Sequence, residues 1–531
     1  MNVQPYSWPL DELLQPWISS PEADRETGRA TTDKREDGLC ANQSETSAQI
    51  ASVSVHGVNL DSRLVSVGDV YLAVSGHSTH GIKFAISAVD RGAVAVVTST
   101  ATQEQHADIL EMLAARDVPV VFMSSIEEYC AQIAARFYGE PDATLSIVAV
   151  TGTDGKTSVC QFISQAMSDS GTVCGYIGTL GWGMPGKLND TSLTTPDSVS
   201  LRRMLAVMRD QGARCVALEA SSHGIAEGRL DGLAIDVAVL TNLGRDHLDY
   251  HGTLEAYRAA KEQLFHWSTL SAVVLNADDA MGQDLISELT QVRQLNYSAC
   301  GDVKSTPANT VTASSIEATD QGLVFCLVDE DEKHLLQTSL LGRFNVDNLL
   351  ASYACMRASG IAANEARHAL EHVSPVAGRM QRLGGHNKPT VVIDYSHTPG
   401  ALSTAIDAVR IHCQRELWVV FGCGGDRDTG KRAPMAKAAE AAEYVVVTND
   451  NPRTEDADSI IKDVLEGFDD KNRVLVIPDR SEAIEHAVLN AHSDDLILIA
   501  GKGHENYQVI GTERHHFSDL EHAQAALEKT S

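Results

Sequence analysis

The fold is decided by the stretch VTGTDGKTSVCQFISQAM, residues 150–167, in which an apolar strand, a short glycine loop and a helix follow one another. Gly152 and Gly155 let backbone N–H groups approach phosphate oxygens, and the following helix adds its positive N-terminal end. Lys156 can reach the terminal phosphates, and the hydroxyl of Thr157 or of Ser158 can coordinate Mg²⁺. The form GxxGK[ST] is shorter than the usual GxxxxGK[ST]. We predict a nucleotide-phosphate loop; the alternative is a glycine turn with an exposed lysine.

The same order of strand, polar loop and helix continues beyond this loop. Apolar strands alternate with helical stretches from LSIVAV (145–150) to AVVLN (272–276), and a second series runs from PTVVIDY (389–395) to DLILIAG (495–501). Alternation of this kind predicts βαβ units and parallel sheets. Polar clusters follow these strands directly, and doubly wound sheets bind ligands at the carboxyl ends of their strands. The sequence therefore predicts a ligand site built from strand-end loops.

The chain length predicts three α/β domains, because 531 residues are too many for one core. We place a small N-terminal α/β domain at 1–145, a central parallel-sheet domain of the phosphate-loop type at 146–375, and a Rossmann-like α/β domain at 376–531. Within the first domain, residues 20–50 are polar and poor in aromatic and aliphatic side chains. We predict that they form a flexible insertion.

Composition limits the partners of the protein. The formal net charge of −30 argues against a general nucleic-acid or membrane surface. The sequence contains neither a run of about 18 apolar residues nor the start typical of a signal peptide. Its ten cysteines are scattered without a CxxC pair, which is typical of reduced thiols. We expect a cytoplasmic monomer that binds small molecules.

Carboxylate and imidazole groups follow two further predicted strands. Glu219 ends the strand in CVALEA (215–220), and His247 lies in TNLGRDHLDYHG (241–252). Such groups on neighbouring strand ends can hold a hard cation that bridges a nucleotide and a second substrate. The alternative for each residue is an ordinary hydrogen-bonded polar side chain at the end of a strand.

These motifs together resemble the Mur ligases, which use ATP to join a carboxylate to an amine, and the resemblance runs from about Val58 to about Tyr507. It implies three catalytic residues: Lys156, Lys261 and His247. The implied ATP-binding residues are Gly152, Thr153, Asp154, Gly155, Lys156, Thr157, Ser158, Asn345, Asn348 and Arg379. The implied Mg²⁺ ligands are Thr157, Glu219, His247 and Lys261, the last as an N6-carboxylated lysine. For Asn345 the alternative is a plain helix cap.

The segment VNLDSRLVSVGDVYLAVSGHSTHG (58–81) resembles the uridine-nucleotide region of the Mur ligase that adds the third peptide residue. A folylpolyglutamate synthetase is disfavoured, because those relatives lack this N-terminal domain. The resemblance implies that a UDP-muramoyl dipeptide is bound by Leu60, Ser62, His77, Ser78, Thr79, Thr194, Thr195, Ser221, Glu227 and Arg229. For Arg229 there is also a direct argument, because a guanidinium suits a phosphate or carboxylate better than a lysine does.

The cluster TNDNPRTED (448–456) follows the apolar run at 444–447 and reads either as an ordinary turn or as a pocket wall. Diaminopimelate, unlike lysine, has a second amino-acid head, whose carboxylate needs an arginine and whose ammonium needs an acid. By resemblance, the DNPR form accompanies the use of diaminopimelate. The implied binding residues are Arg427, Asp450, Asn451, Pro452, Arg453, Gly501 and Glu505.

The resulting expectation is an ATP- and Mg²⁺-dependent amide ligase that adds meso-2,6-diaminopimelate to UDP-N-acetylmuramoyl-L-alanyl-D-glutamate through an acyl phosphate, in peptidoglycan precursor synthesis. The sequence departs from the family pattern at Asp154, Gly244, Gln381, Ser396 and Gly400, and we expect several of these positions to lie near the nucleotide or the metal. Two alternatives therefore stay open. One is a related ligase with a different amino-acid or carboxylate substrate, and the other is a nucleotide-binding scaffold with impaired catalysis.

Overall fold

The computed structural model describes residues 6–18, 50–76, 79–300, 307–330, 332–385 and 387–530. The predicted insertion lies outside these ranges except for residue 50, and His77 and Ser78 also lie outside them. No helix in the described ranges is long and apolar enough to cross a membrane. Two compact units can be distinguished: Met1–Ala149 with Thr172–Asp236 and Asp249–Leu270, and Val150–Gly171 with Val237–Leu248 and Ser271–Ser531.

Some of the helices begin at a side-chain cap that the sequence supplies. The helices Ser198–Asp210 and Ala280–Glu288 each follow an aspartate whose carboxylate accepts N–H bonds from the first turn. The α-helices of the described residues are Leu10–Ile18, Ala85–Asp90, Thr102–Gln105, Ala107–Ala114, Ile126–Phe137, Lys156–Asp169, Ser198–Asp210, Ser222–Ala226, Leu248–His251, Leu254–Glu262, Ala280–Glu288, Phe344–Ala358, Ala363–Glu371, Pro399–Arg410, Arg432–Ala439, Ala457–Leu465, Arg480–Asn490 and Asp519–Lys529.

A small parallel sheet forms the N-terminal part of the first unit. Its strands, in spatial order, are Gly57–Asn59, Asp69–Ala73, Ala95–Ser99 and Val120–Met123. Beside it, Trp8–Pro9 pairs antiparallel with Ser54–Val55. Apolar side chains of the helices Leu10–Ile18 and Ile126–Phe137 share a core with these strands. The predicted N-terminal α/β arrangement is therefore present.

The central sheet has eleven strands. Its spatial order is Lys187–Asn189, Gly181–Met184, Cys174–Gly178, Cys215–Glu219, Ser146–Thr151, Val237–Leu240, Ala272–Asn276, Arg293–Ser298, Thr310–Thr319, Gly322–Asp329 and Glu332–Thr338. The strands from Val237–Leu240 to Thr310–Thr319 pair in parallel, whereas the last three strands form an antiparallel extension. The parallel part confirms the βαβ pattern that was predicted from the alternation of strands and helices.

The C-terminal sheet has six strands and an apolar core on each face. Its spatial order is Gln381–Gly384, Thr390–Asp394, Leu496–Ala500, Leu417–Phe421, Tyr444–Val447 and Val474–Val476. The first pair is antiparallel and the others are parallel. Because side chains alternate along a strand, Val419 joins one core and Val420 joins the other. The hairpin of Tyr507–Ile510 and Glu513–His516 follows this sheet.

An ion pair inside the C-terminal domain ties two helices to a strand end. Arg480 donates to the Asp519 carboxylate at 2.7 and 2.8 Å and to Ala500 O at 3.0 Å, and the side chains of Arg480 and Asp519 are fully buried. Gly501 and its loop follow Ala500 directly. The pair therefore supports the strand end from which that loop begins.

Replacement of Asp519 by asparagine is expected to destabilise this domain by about 3–5 kcal/mol, because it leaves a buried guanidinium without its counter-charge. Urea unfolding of the full chain measures the effect. Lys529→Gln, in the same helix, breaks the exposed pair with Glu485 and should change stability by no more than about 0.5 kcal/mol. Equal unfolding midpoints for the two variants would contradict a structural role for the buried pair.

Candidate active site

The phosphate loop lies in the second unit and has the geometry that its glycines predicted. Gly155 precedes the helix Lys156–Asp169 with a φ of +83°, a left-handed conformation that favours glycine. Lys156 Nζ donates to Gly152 O at 2.9 Å and to Thr153 O at 2.8 Å. The ammonium is thus held over the loop from which the N–H groups of the helix start also project. This concentration of positive charge suits a phosphate.

The neighbouring strand end braces the loop. Thr241 Oγ1 donates to Asp154 O at 2.6 Å, and the Asn242 side chain both accepts from Asp154 N at 3.0 Å and donates to Asp154 O at 3.2 Å. Gly244 N donates to Thr153 Oγ1 at 2.8 Å. The main chain of Asp154 is therefore bound on both sides, whereas its side chain is exposed.

The helix Phe344–Ala358 brings Asn348 to the same loop, and Asn345 supports Asn348. A Cβ at Gly155 would lie 2.6 Å from Asn348 Oδ1, so a side chain there would displace this asparagine. Asn348 Nδ2 donates to Asn345 Oδ1 at 2.9 Å, and Asn345 Nδ2 donates to Leu341 O at 2.8 Å. Asn345 is a buried residue inside the helix, and the cap position is Arg343. The alternative of Asn345 as a helix cap is therefore wrong.

The remaining predicted residues of the nucleotide side lie at strand and helix ends of the same unit. Thr157 is buried and Ser158 is partly buried in the first turn of their helix. His247 has a φ of +52° and donates its N–H to Asp246 Oδ1 at 2.8 Å. The guanidinium of Arg379 lies 4.9 Å from the ring centre of Tyr395. Gln381, one of the departures, accepts the N–H of Gly378 at 2.9 Å.

Glu219 in the first unit is completely buried and hydrogen-bonded. Its carboxylate accepts from Tyr176 OH at 2.5 Å, from Thr179 N at 3.0 Å and from Thr179 Oγ1 at 3.1 Å. Gly178 leaves room for it, because a Cβ there would overlap the carboxylate. The carboxylate is therefore held in one orientation at the end of the strand Cys215–Glu219.

Some of the residues predicted to bind the dipeptide form a second cluster in the first unit. Thr195 Oγ1 lies 2.9 Å from Ser221 Oγ and donates to Glu219 O at 2.7 Å. Arg229 donates to Thr195 O at 2.7 Å and to the Glu227 carboxylate. Among the other predicted contacts of this kind, Leu60, Ser62, Thr79 and Thr194 are buried or partly buried. Thr194 Oγ1 lies 3.1 Å from Thr179 Oγ1.

Lys261 lies among aromatic rings in the first unit. Its side chain is 1% exposed, and Nζ is 4.4 Å from the ring centre of Tyr257. The His251 ring lies 5.3 Å from the Tyr257 ring, and His251 Nε2 is 3.0 Å from Ser222 Oγ. Lys261 is therefore a buried lysine and not an ordinary solvated helix lysine.

A cluster of charged residues ends two strands of the C-terminal sheet. Lys502 is fully buried, and its ammonium lies 3.1 Å from Asn451 Oδ1, 3.3 Å from Glu505 Oε2 and 3.5 Å from Asp450 Oδ1. Asn451 Nδ2 donates to Glu505 Oε2 at 3.0 Å. Two carboxylates surround one ammonium, so the cluster has a residual negative charge that favours a cationic ligand group. Gly501 has a φ of +119°, and a Cβ there would lie 2.8 Å from Asp450 Oδ2.

Arg453 presents a guanidinium beside this cluster. Its main chain is held by Val509 O, which accepts its N–H at 3.0 Å, and by Gly511 N, which donates to its carbonyl at 2.7 Å. Arg453 Nη1 donates to Gly425 O at 2.7 Å. Pro452 is buried, whereas Arg427 is exposed in the loop after the strand Leu417–Phe421. TNDNPRTED is therefore part of a group of polar residues at several strand ends, which we call the polar wall, and its role as the wall of a binding pocket stays a prediction.

The sequence was compared with those of known proteins. A UDP-N-acetylmuramoyl-L-alanyl-D-glutamate–2,6-diaminopimelate ligase of Pseudomonas putida is 44% identical over 482 residues, which are 89% of this chain and 95% of that protein. The chain belongs to the Mur ligase family. Family models match residues 54–138 (Mur ligase family, catalytic domain), 150–356 (Mur ligase middle domain) and 378–503 (Mur ligase, glutamate ligase domain).

Solved structures of other Mur ligases have the same fold. The structure of a UDP-N-acetylmuramoyl-L-alanyl-D-glutamate–2,6-diaminopimelate ligase is 35% identical with a TM-score of 0.64, covering 89% of this chain and 95% of that chain. A MurF ligase of Thermotoga maritima in complex with ADP is 19% identical with a TM-score of 0.60, covering 90% of this chain and 98% of that chain, and its likeness shows the fold alone. The predicted three-domain α/β fold and the predicted class, a ligase that forms C–N bonds, are confirmed.

Several residues of this Mur ligase that support the site were missed in the sequence. They are Tyr176, Thr179, His251, Tyr257 and Lys502. Lys502 closely follows the buried strand Leu496–Ala500, so its place after that strand was a usable signal. Tyr257 stands one helical turn before Lys261 in the helix Leu254–Glu262, which was also a usable signal. No local pattern marks Tyr176, Thr179 and His251, because their hydrogen-bond partners are distant in sequence: Tyr176 and Glu219 are 43 residues apart.

Replacement of Asp154 by asparagine is expected to lower the KM for ATP by about two- to fivefold. The exposed carboxylate adds a negative charge to a loop that must receive phosphates, and solvent screening keeps the effect small. Steady-state kinetics at two ionic strengths measure it, and the difference should shrink at the higher one. Asp190→Asn, which alters a carboxylate outside the phosphate loop, is the control; an equal effect there would contradict the explanation.

Proposed function

We propose that the protein is the ATP-dependent ligase that joins meso-2,6-diaminopimelate to UDP-N-acetylmuramoyl-L-alanyl-D-glutamate in peptidoglycan precursor synthesis. The name of the Pseudomonas putida relative gives the same two substrates, UDP-N-acetylmuramoyl-L-alanyl-D-glutamate and 2,6-diaminopimelate, for a ligase. The observation that carries the proposal is the polar wall of the C-terminal sheet, where Arg453 lies beside the Asp450–Lys502–Glu505 cluster. These groups match the charges of the far amino-acid head of diaminopimelate.

The phosphate loop supports ATP as the co-substrate. In the proposed reaction the D-glutamate side-chain carboxylate attacks the γ-phosphorus of ATP, the bond to the β-phosphate oxygen breaks, and an acyl phosphate and ADP form. Lys156 places a positive charge at the transferring group, which stabilises the charge that develops there. Asn345 and Asn348 would contact the nucleotide, since Asn348 already lies against Gly155.

The predicted cation ligands include the side-chain types that a hard ion prefers. Thr157 offers a hydroxyl and Glu219 offers a carboxylate held by Tyr176 and Thr179, and oxygen ligands are those that Mg²⁺ prefers. Carboxylation of Lys261 would add a further oxygen ligand, and His247 would add a nitrogen. Bound Mg²⁺ would neutralise the phosphate oxygens of ATP.

The first-unit cluster is proposed to hold the UDP-muramoyl dipeptide. Arg229 offers a guanidinium for a phosphate or carboxylate, although in the structure it is paired with Glu227 and Thr195 O. Thr195 and Ser221 offer hydroxyl groups next to Glu219. We assign the residues before them, Leu60, Ser62 and Thr79, to the uridine end, together with His77 and Ser78.

The second step is attack of the diaminopimelate amine on the acyl phosphate, followed by loss of phosphate from the tetrahedral intermediate. The far carboxylate would bind Arg453 and Arg427, and the far ammonium would bind Asp450 and Glu505. Holding the amine by its distant end orients it for attack, which is a large part of what a ligase contributes. ATP and a nucleotide-linked substrate place this reaction in the cytoplasm.

The experiment is phosphate release and product mass with ATP, Mg²⁺ and the UDP-linked dipeptide, with meso-diaminopimelate, L-lysine or no amine. Product with diaminopimelate and little or none with lysine is the expected result. Product only with another amine would replace the substrate assignment by that of a related ligase. ATP binding without product from any amine would favour the scaffold alternative, for which the exposed carboxylate of Asp154 is the motivating observation.

A further inference from the structure

His412 joins three segments of the second unit that are far apart in sequence. It follows the helix Pro399–Arg410 and is only 6% exposed. Its Nδ1 lies 2.6 Å from Thr319 O, at the end of the strand Thr310–Thr319, and its Nε2 lies 2.9 Å from the main-chain nitrogen of Gly342. Both partners are main-chain groups, so their hydrogen-bonding roles do not depend on side-chain identity.

These partners determine the tautomer of the His412 imidazole. A main-chain N–H can only donate, so Nε2 must be the acceptor for Gly342. A carbonyl oxygen can only accept, so Nδ1 must carry the proton that bonds to Thr319 O. Burial, with Arg382 nearby, lowers the pKa of His412 below its ordinary value of 6.5, although the bond to Thr319 opposes this shift. The ring is therefore neutral at physiological pH, with one donor and one acceptor, and both are used.

The Gly342 end of this link leads to the proposed nucleotide site. Gly342 has a φ of +83°, and its carbonyl accepts the N–H of Asn345 at 2.9 Å. The preceding carbonyl, Leu341 O, accepts the Asn345 side chain at 2.8 Å, and Asn345 in turn accepts from Asn348. Hydrogen bonds thus run without a break from His412 to the asparagine that touches the phosphate loop.

The same turn is packed against the C-terminal domain. Leu341 is 1% exposed and belongs to the core that contains Ala405 and Val409 of the helix preceding His412. A Cβ at Gly342 would lie 3.1 Å from Ala408 Cβ, so this helix is close to the turn at Ala408. Apolar packing therefore brings the turn to the helix, but it supplies no hydrogen-bond acceptor for the N–H of Gly342. An unsatisfied buried N–H would be costly, and the imidazole removes that cost.

We propose that His412 is a positioning residue for the nucleotide. Its Nε2 accepts the Gly342 N–H and so holds the Leu341–Asn345 turn in the conformation from which Asn345 and Asn348 contact ATP. Because His412 comes from the C-terminal domain, the geometry of the nucleotide site depends on a residue outside the domain that carries the phosphate loop. This inference rests on the proposed function for the identity of the nucleotide.

Two polar substitutions separate the two bonds of the imidazole. In His412→Gln the amide oxygen can occupy the place of Nε2, which keeps an acceptor for Gly342 and loses the donor to Thr319. In His412→Asn the amide can occupy the place of Nδ1, which keeps the donor to Thr319 and loses the acceptor for Gly342. The proposal predicts a rise of about tenfold in the KM for ATP in His412→Asn, as expected for the loss of one hydrogen bond.

The readouts are the KM for ATP, the KM for the UDP-linked dipeptide, and kcat, with the unfolding midpoint measured in parallel. His412→Gln should retain an ATP KM within about twofold of the unsubstituted protein, and neither variant should change the KM for the dipeptide. Cys413→Ala, at the adjacent partly buried position, is the matched control and should leave the ATP KM unchanged.

Equal ATP KM values for His412→Gln and His412→Asn would overturn the proposal, as would a loss of activity that follows the unfolding midpoint alone. Calorimetric binding of ATP to the same full-length variants keeps this test separate from the proposed function. If the unsubstituted protein binds ATP but forms no product, the ligase assignment fails. The order of ATP affinities among the variants then still decides the role of His412.

Discussion

Lys156→Met lowers kcat for ligation by about 10³-fold or more, on the expectation that this ammonium neutralises the transferring phosphoryl group. Methionine has a similar length and no charge, so the packing of the side chain is largely kept. In the structure Lys156 Nζ bonds to Gly152 O and Thr153 O, which places the charge over the loop itself. A loss of charge should therefore affect chemistry much more than it affects the KM for diaminopimelate.

The measurement is single-turnover formation of ADP with both other substrates bound. Lys187→Met, on the exposed strand Lys187–Asn189, is the matched control and should behave like the unsubstituted protein. The substitution also removes the two hydrogen bonds from Lys156 Nζ to main-chain carbonyls. Circular dichroism and the unfolding midpoint therefore test for a folding defect. A variant with normal folding and a kcat reduced by less than about tenfold would contradict the assigned role of Lys156.

Arg453→Ala raises the KM for diaminopimelate by about 10²-fold, because it removes a charge-assisted, two-pronged hydrogen-bonding group from a carboxylate. Arg453→Lys keeps the charge but not the planar fork, so its effect should be intermediate. Arg453 has a φ of +53°, in the left-handed region. Lysine and arginine have the same preference there, so the substitution by lysine adds no new backbone strain. The intermediate result therefore separates loss of geometry from loss of charge.

The sharper readout is selectivity between amines. L-Lysine has no far carboxylate, so any turnover with lysine should be unaffected by Arg453→Ala while turnover with diaminopimelate falls. The ratio of kcat/KM for the two amines should drop by about 10²-fold. Arg473→Ala, at an exposed position of the same domain, should leave the ratio unchanged. A parallel loss with both amines would mean that Arg453 supports the loop through Gly425 and does not read the substrate.

Local patterns predicted the parts of the fold that are themselves local. The strand, glycine loop and helix around Lys156 are found as predicted. The turn between them depends only on the left-handed conformation of Gly155, which is a property of that residue itself. The buried strand Tyr444–Val447 is likewise followed by the polar residues that begin at Thr448. A pattern of apolar residues with turn residues at its end carries this information without reference to the rest of the chain.

Pairings between distant segments could not be predicted in this way. Lys502 is fully buried because Asn451, 51 residues earlier, and Glu505 supply its oxygen partners. His412 Nε2 accepts the N–H of Gly342, which is 70 residues away. In each case the sequence shows a polar residue next to a predicted strand or helix. Its hydrogen-bond partner depends on which distant segments the fold brings together. The residue assignments of the binding sites and the domain boundaries stay predictions until variants are measured.

The departures from the family pattern differ in their structural consequences. Gln381 accepts a main-chain N–H from Gly378, and Ser396 hydrogen-bonds the buried Asp394 carboxylate, whose pKa is raised by burial. These two residues thus have local partners within the C-terminal domain. Gly400 has open space around the position of a Cβ, and nothing in the structure explains the glycine there. Only Asp154 places a new charge on the phosphate loop.

The measurement that tests the central claim most directly follows oxygen from the carboxylate to phosphate. The UDP-linked dipeptide is labelled with ¹⁸O in the D-glutamate side-chain carboxylate and turned over with ATP, Mg²⁺ and meso-diaminopimelate. Formation and aminolysis of an acyl phosphate predict one ¹⁸O in the released phosphate for each amide formed. Unlabelled phosphate, or ADP release with no amide product, would contradict the account of this protein as a ligase that activates its substrate by phosphoryl transfer.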